Sequence, residues 1–243
     1  MIELKNICWT TPDGKQVLKN VNFKIRDNRL VAVSGPNGGG KTTLARILMG
    51  VEKPTSGKII MDGKDITDLD VTERAKLGIS FGFQQPVSFK GITVRRMLTL
   101  AAGRPMTEEK ICDYLRQVGL CAKEYIDRDI DSTLSGGEIK RIEIATVLAR
   151  NTDFVIFDEP EAGIDLWSFE KLIGVFENIR NNHDKTLLVI SHQERILKIA
   201  DEIVIVADGT VSDHGPGPEM LTKMLHGNQM VTHRCGETEV SYE

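Results

Sequence analysis

Leu30-Val31-Ala32-Val33-Ser34-Gly35-Pro36-Asn37-Gly38-Gly39-Gly40-Lys41-Thr42-Thr43-Leu44 is the stretch on which the fold turns. Leu30 to Ser34 is a short apolar run ending at Gly35, the pattern of a strand buried on both faces of a parallel sheet. From Thr42 to Met49, residues Leu44, Ile47 and Leu48 recur at helical spacing, and Gly50 stands where a C-cap glycine belongs. A glycine loop that leaves a strand and enters a helix is the setting in which G-x-x-x-x-G-K-[ST] means phosphate binding. Glycines let the backbone curl until successive N–H groups point inward, and the helix N-terminus adds partial positive charge. Gly35, Pro36, Asn37, Gly38, Gly39 and Gly40 therefore read as a phosphate cradle. Lys41 reads as the cation on the β- and γ-phosphates, the Thr42 hydroxyl as a Mg²⁺ ligand, and Thr43 as the next residue of the turn. A mere glycine turn with a surface lysine is the plain alternative, and the flanking strand and helix argue against it.

Further along, the apolar run Phe154 to Phe157 ends in Asp158-Glu159. Two adjacent acids beside a sheet are costly without a nearby cation. Asp158 suits a Mg²⁺ shell reached through water, which frees Glu159 to act as general base on an attacking water. Leu187 to Ser191 is a third buried-strand run closed by His192. Ligands of open parallel sheets lie at the C-terminal ends of strands, so His192 reads as a sensor of the γ-phosphate. His183, His214, His226 and His233 have no comparable placement and read as surface residues. Between the carboxylates and the glycine loop lies Leu134-Ser135-Gly136-Gly137-Glu138. Ser135 with Glu138 fits a capping box that opens a helix from about Ile139 to Arg150. Capping does not explain the glycines; Ser135, Gly136 and Gly137 would also offer bare N–H groups and a hydroxyl to an anion. The four motifs in this order imply an enzyme that binds ATP and cuts its terminal phosphate.

The Leu134–Glu138 pentad, together with the glycine loop and Asp158-Glu159, resembles the signature of ATP-binding cassette (ABC) ATPases, over about Ile2 to Leu225. That resemblance implies an α/β P-loop NTPase fold of the ABC type, with a RecA-like core, an antiparallel β-subdomain and a helical subdomain. It implies that Ser135–Gly137 of one copy close over ATP held by another copy's P-loop. It makes Gln84, rather than Gln85, the Q-loop glutamine that touches Mg²⁺ and senses a partner. Ala162-Gly163-Ile164-Asp165 becomes the interface-lining D-loop, and His192 the switch histidine. Many such ATPases stack adenine on an aromatic residue of the first hairpin. Here that position falls near Thr11 or Pro12, and Trp9, two residues before Thr11 on the same strand face, is either a stacking residue or a core residue.

Within the superfamily three stretches are similar to the SufC-type ATPase subunit of the SUF iron–sulfur cluster assembly system. They are Phe83-Gln84-Gln85-Pro86-Val87 with Gly91-Ile92-Thr93, then Leu134 to Ile144, and then Asp158 to Asp165 with Ser191-His192-Gln193-Glu194-Arg195-Ile196-Leu197. Arg141-Ile142-Glu143 and the His192–Leu197 run are the more telling parts. This likeness implies a SufB/SufD-like scaffold subunit as partner. The rival is the nucleotide-binding subunit of a membrane transporter, docking on a transmembrane permease through the same Q-loop surface. A non-catalytic ATP-gated regulator is a third reading, disfavoured by the complete Lys41, Asp158, Glu159 and His192 set.

At 243 residues the chain is one domain of ordinary size, divisible into a core segment 1–69, a helical segment 70–150, a returning core segment 151–225 and a tail 226–243. Asp70-Val71-Thr72-Glu73 reads as a capping box, and Ile111, Leu115 and Val118 as one apolar stripe of the helical segment. Phe169, Leu172, Ile173, Phe176 and Ile179 should pack on the sheet, and the polar tail from His226 should be loosely ordered. No run of about 18 apolar residues is present, and Met1-Ile2-Glu3-Leu4 leads straight into a strand pattern, so neither a membrane span nor a signal peptide is expected. The four scattered cysteines, Cys8, Cys112, Cys121 and Cys235, fit reduced thiols of the cytoplasm, and fall short of an iron–sulfur ligand set. Cys235 near His233 fits a flexible tail better than a metal site. A net charge of −4 with both signs interspersed argues against a nucleic-acid partner.

Overall fold

The computed structural model describes residues 1–84, 91–183 and 185–232. The expectations placed on Gln85, Pro86, Val87, His233 and Cys235 lie outside the described residues. The chain begins with two long strands, β1 (Ile2–Thr10) and β2 (Gln16–Ile25), followed by β3 (Leu30–Ser34) and helix α1 (Lys41–Met49). Next come β4 (Ser56–Met61), β5 (Lys64–Asp65), α2 (Val71–Lys76) and β6 (Ile79–Gly82). Four helices follow: α3 (Val94–Ala102), α4 (Glu108–Gln117), α5 (Ala122–Tyr125) and α6 (Gly136–Ala149). The chain then returns through β7 (Phe154–Asp158), α7 (Leu166–Asn182), β8 (Thr186–Ile190) and α8 (Glu194–Ile199). It closes with β9 (Glu202–Ala207), β10 (Thr210–Pro216) and α9 (Gly217–Thr232).

These strands form two sheets, one of six strands in the order β10-β9-β3-β8-β7-β6 and one of four in the order β2-β1-β4-β5. In the larger sheet β9, β3, β8, β7 and β6 run parallel, and β10 pairs antiparallel at the edge. The smaller sheet is antiparallel throughout. β3, β7 and β8 are buried at every position, as the continuous apolar runs required. Period-two alternation then sends their side chains to two cores. Val31, Val33, Ile156 and Ile190 face a core shared with α1 and the smaller sheet. Ala32, Phe157, Leu187 and Val189 face the other, with α7 and the four-helix stretch. Phe169, Leu172, Ile173 and Phe176 of the expected stripe are buried there, with Ile179 packed at its edge, as are Ile111, Leu115 and Val118.

Three boundaries differ from the sequence reading. One strand of the main sheet, β6, comes from inside the 70–150 stretch and pairs with β7. Helix α6 begins at Gly136 instead of about Ile139, because the Ser135–Glu138 capping box is formed and draws both glycines into its first turn. Helix α9 runs on to Thr232, past the point where the loose tail was expected to start. Its first half is anchored by buried Met220 and by Leu221 and Met224 against the core, and an anchored helix propagates cheaply.

Arg74 was not foreseen. It is 1% exposed and donates to the carbonyls of Ile47 (2.6 Å), Leu48 (2.9 Å), Thr67 (2.9 Å) and Leu69 (3.0 Å). Burial lowers its guanidinium to about 10, with Asp68 opposing. It thus satisfies carbonyls at the C-terminal end of α1, the helix whose other end starts at Lys41. Arg74→Met should destabilise the fold by about 2–4 kcal/mol by orphaning these acceptors. Denaturant unfolding measures it, and an unchanged midpoint would remove Arg74 from this role.

Candidate active site

The glycine loop leaves β3 and passes under β9. Gly35 has φ of 131°, and a Cβ there would stand 2.2 Å from the Val206 carbonyl oxygen, so no other residue fits. The loop is tied down by Gly39 N–H donating to Pro36 O at 3.1 Å and Gly209 N–H donating to Gly39 O at 3.1 Å. Lys41, 6% exposed, opens α1 and turns its Nζ to the Gly35 and Pro36 carbonyls at 2.8 and 2.9 Å. Burial lowers its pKa, with the charges of Glu159 and Asp158 opposing. Asn37, Gly38, Gly40, Lys41, Thr42 and Thr43 line a cavity of about 420 Å³, together with Val17, Gln84 and Glu159. Trp9 is not on that wall; it packs against the core under the smaller sheet.

At the end of β7 the Thr42 hydroxyl donates to Asp158 Oδ1 at 3.3 Å. Asp158 is 2% exposed, and burial raises its carboxyl above the usual range, the hydrogen bond from Thr42 opposing and the charge of Glu159 adding. A hydroxyl and a carboxylate meeting at the phosphate cavity are donors of the kind a hard divalent cation takes, the remaining positions being left to phosphate and water. Among the described residues no cluster of three or more His, Cys, Asp or Glu could hold a metal by itself.

Glu159 has φ of +45°, a left-handed backbone that a non-glycine residue adopts only when its surroundings impose it. Its N–H donates to Ile190 O at 2.9 Å and its carbonyl accepts from Ala162 N–H at 3.0 Å. The side chain then meets both other candidates. Gln84 Nε2 donates to Glu159 Oε2 at 2.6 Å, and His192 Nε2 lies 3.8 Å from Glu159 Oε1. Burial and then the charge of Lys41 lower the His192 pKa, with Glu159 opposing, which favours neutral imidazole at neutral pH. Lys41, Thr42, Gln84, Asp158, Glu159 and His192 are thus gathered at one edge of the sheet from four chain segments.

Ser135, Gly136 and Gly137 are not on the cavity wall of their own chain. Ser135 caps α6, accepting from Glu138 N–H at 3.3 Å, and both Ser135 and Gly136 are exposed. Gly137 abuts the D-loop, where a Cβ would stand 2.9 Å from the Gly163 carbonyl oxygen. Arg141 Nη1 donates to Ser168 Oγ, which donates to Asp165 Oδ2, each at 2.7 Å. The signature and the D-loop are therefore in direct contact within one chain.

Sequence reasoning missed one pair. Lys140, 1% exposed, donates to the Phe83 carbonyl and lies 3.2 Å from Glu143, whose Oε1 accepts from Phe83 N–H at 2.8 Å. Burial raises the Glu143 carboxyl. Together they grip both backbone groups of the residue before Gln84. A lysine and a glutamate at i and i+3 on a helix face otherwise marked by Ile139 and Ile142 were the available signal. Beside them an apolar cavity of about 250 Å³ opens between β6, α3 and α6, lined by Phe81, Phe83, Met97, Ile142 and Val147 among others.

A protein-family model described as ABC transporter matches residues 18–162. The chain belongs to the ABC transporter family. This cassette is 40% identical over 215 residues to an uncharacterised ABC transporter ATP-binding protein of Methanocaldococcus jannaschii, covering 85% of this chain and 86% of the relative. It is 35% identical over 238 residues to an ABC transporter ATP-binding protein of Pyrococcus abyssi, covering 95% of this chain and 89% of the relative. It is similar to a solved ATP-binding cassette in a dimeric, post-hydrolysis state bound to ADP and Pi, with a TM-score of 0.80 at 27% identity over 89% of this chain and 98% of that one. The α/β P-loop NTPase fold of the ABC type follows from both kinds of likeness.

Replacing Lys41 by Ala should abolish nucleotide binding in calorimetry; retained affinity would contradict the cradle. Glu159→Gln should keep binding and slow hydrolysis by roughly 10²–10⁴. Near-normal turnover in that variant would show that Glu159 is not the base.

Proposed function

We propose that this cassette binds Mg²⁺-ATP at the Lys41 loop, hydrolyses it, and passes the closing and opening of the site to a partner docked beside Gln84. One observation carries the coupling. Gln84, which holds Glu159 at 2.6 Å, follows directly on Phe83, which lines the apolar cavity and is gripped by Lys140 and Glu143. A partner pressing on that cavity acts on the backbone that positions the candidate base.

In this reading loop N–H groups and Lys41 neutralise the phosphates. Thr42, Asp158 and Gln84 would hold Mg²⁺, which when bound spreads the charge of the β- and γ-oxygens. Glu159 takes the proton of the attacking water, and neutral His192 donates toward the γ-phosphate. Ser135–Gly137, outside their own chain's cavity, complete the cavity of a second copy, so ATP drives self-association. ATP must then bind the closed pair more tightly than the separated chains.

The relatives carry ABC transporter names, which favours a transmembrane permease as partner and this chain as its nucleotide-binding subunit. No helix of the described residues is long and apolar enough to cross a membrane. The second reading, a SUF-type subunit driving a SufB/SufD-like scaffold, rests on Arg141-Ile142-Glu143 and the His192–Leu197 run. Cys8, Cys112 and Cys121 are free thiols and suit a cytoplasmic site in either case.

Affinity purification of the natively expressed chain from membrane and soluble fractions, with mass spectrometry, separates the two. A multi-span membrane protein is expected if the permease reading holds. Recovery of a soluble partner with labile iron and sulfide would instead overturn it in favour of the scaffold reading.

A further inference from the structure

Glu161 sits two residues beyond Glu159, in the turn that leads from β7 into the D-loop. Its side chain reaches across to the end of β8, where Ser191 Oγ donates to Glu161 Oε1. Ser191 is fully buried. Its N–H donates to Val33 O at 3.1 Å, and its hydroxyl oxygen also accepts from Gln193 N–H at 3.0 Å. The Ser191 side chain therefore brackets His192, binding the residue after it on one side and Glu161 on the other. Glu161 Oε2 is buried and has no hydrogen-bond partner among the described residues. Burial raises the Glu161 pKa and the charge of Glu159 adds to the rise, while the Ser191 hydroxyl and, less strongly, the backbone N–H groups of Glu161 and His192 oppose it.

An acid with one orphaned oxygen is a costly choice for a site that needs only an acceptor for a serine hydroxyl. Its location supplies the reason. The turn it belongs to holds Glu159 in its left-handed backbone, through Ala162 N–H on Glu159 O at 3.0 Å. The turn it reaches carries His192. The Ser191–Glu161 hydrogen bond joins these two turns directly, beside the looser 3.8 Å approach of His192 Nε2 to Glu159 Oε1.

We propose that Glu161 is a positioning residue: acting through the Ser191 hydroxyl, it fixes the His192 turn against the Glu159 turn. This rests on the reading that Glu159 and His192 serve hydrolysis. Positioning acts on the chemical step, so it shows in kcat rather than in ATP affinity.

The test is steady-state ATP hydrolysis by Glu161→Ala, Glu161→Gln, Ser191→Ala and the Glu161→Ala/Ser191→Ala double variant, with thermal melts of each and Glu159→Gln as reference. Glu161→Ala should lower kcat roughly 10–100-fold at unchanged KM. Glu161→Gln, which keeps an acceptor for Ser191, should restore most of that loss. Ser191→Ala should match Glu161→Ala, and the double variant should be no worse than either, since the two residues form one link. Full turnover in Glu161→Ala, losses that multiply in the double variant, or a loss that follows a raised KM or a lowered melting temperature would each overturn the proposal. If Glu161→Ala fails to fold, the comparison of Ser191→Ala with Glu161→Gln decides: a loss in the first and none in the second supports it, and any other pair refutes it. Undiminished hydrolysis by Glu159→Gln would instead bring down the hydrolytic reading beneath it.

Discussion

Two groups of opposite charge are taken out of water at the C-terminal edge of a parallel sheet, and the architecture around them exists to hold that arrangement. Lys41 and Asp158 are both nearly inaccessible, and burial works against the charged form of each. A phosphate chain carrying a hard cation is the ligand whose charges answer both at once. The loop must then approach the sheet more closely than side chains permit, which is why Gly35 lies against the Val206 carbonyl. Helix α1 must not slide, and Arg74 holds its far end through carbonyl acceptors.

The second layer of control lies in the joints. Gly137 against Gly163, and Arg141 through Ser168 to Asp165, weld the signature to the D-loop. Lys140 and Glu143 weld the same helix to Phe83. Helix α6 is therefore tied on one side to the element expected to face a second copy. On the other it is tied to the glutamine that touches Glu159. A buried ion pair is a poor source of net stability, since desolvation offsets attraction, but it defines a single geometry when both partners also bind backbone. Lys140 and Glu143 do so around one residue.

This division explains why the superfamily and the partner are not equally plain. Arg141 and Glu143, which carry much of the likeness to SUF-type subunits, lie in these internal joints. The apolar cavity, where partner chemistry would be written, is lined by Phe81, Phe83, Met97 and Val147 among others, residues from β6 and the turn after it, α3 and α6 that no local pattern joins. Joints constrain how a cassette moves; they do not name what it moves.

Local chemistry made the phosphate loop, the strand runs and both capping boxes legible in the sequence, because glycine placement, apolar continuity and the S-x-x-E or D-x-x-E spacing act within a few residues. The strand ends marked Asp158, Glu159 and His192 as candidates for the same reason. Only the tertiary structure decided that Gln84 meets Glu159. It alone packed half-buried Trp9 against the core and buried Arg74 and Lys140 as partners of backbone acceptors. It alone linked Glu161 to Ser191 across 30 residues of chain. Each of these joins groups distant in sequence, where pairing depends on sheet order and helix packing rather than on local spacing. Burial can turn a charged side chain into a structural one, and a linear pattern carries no record of that.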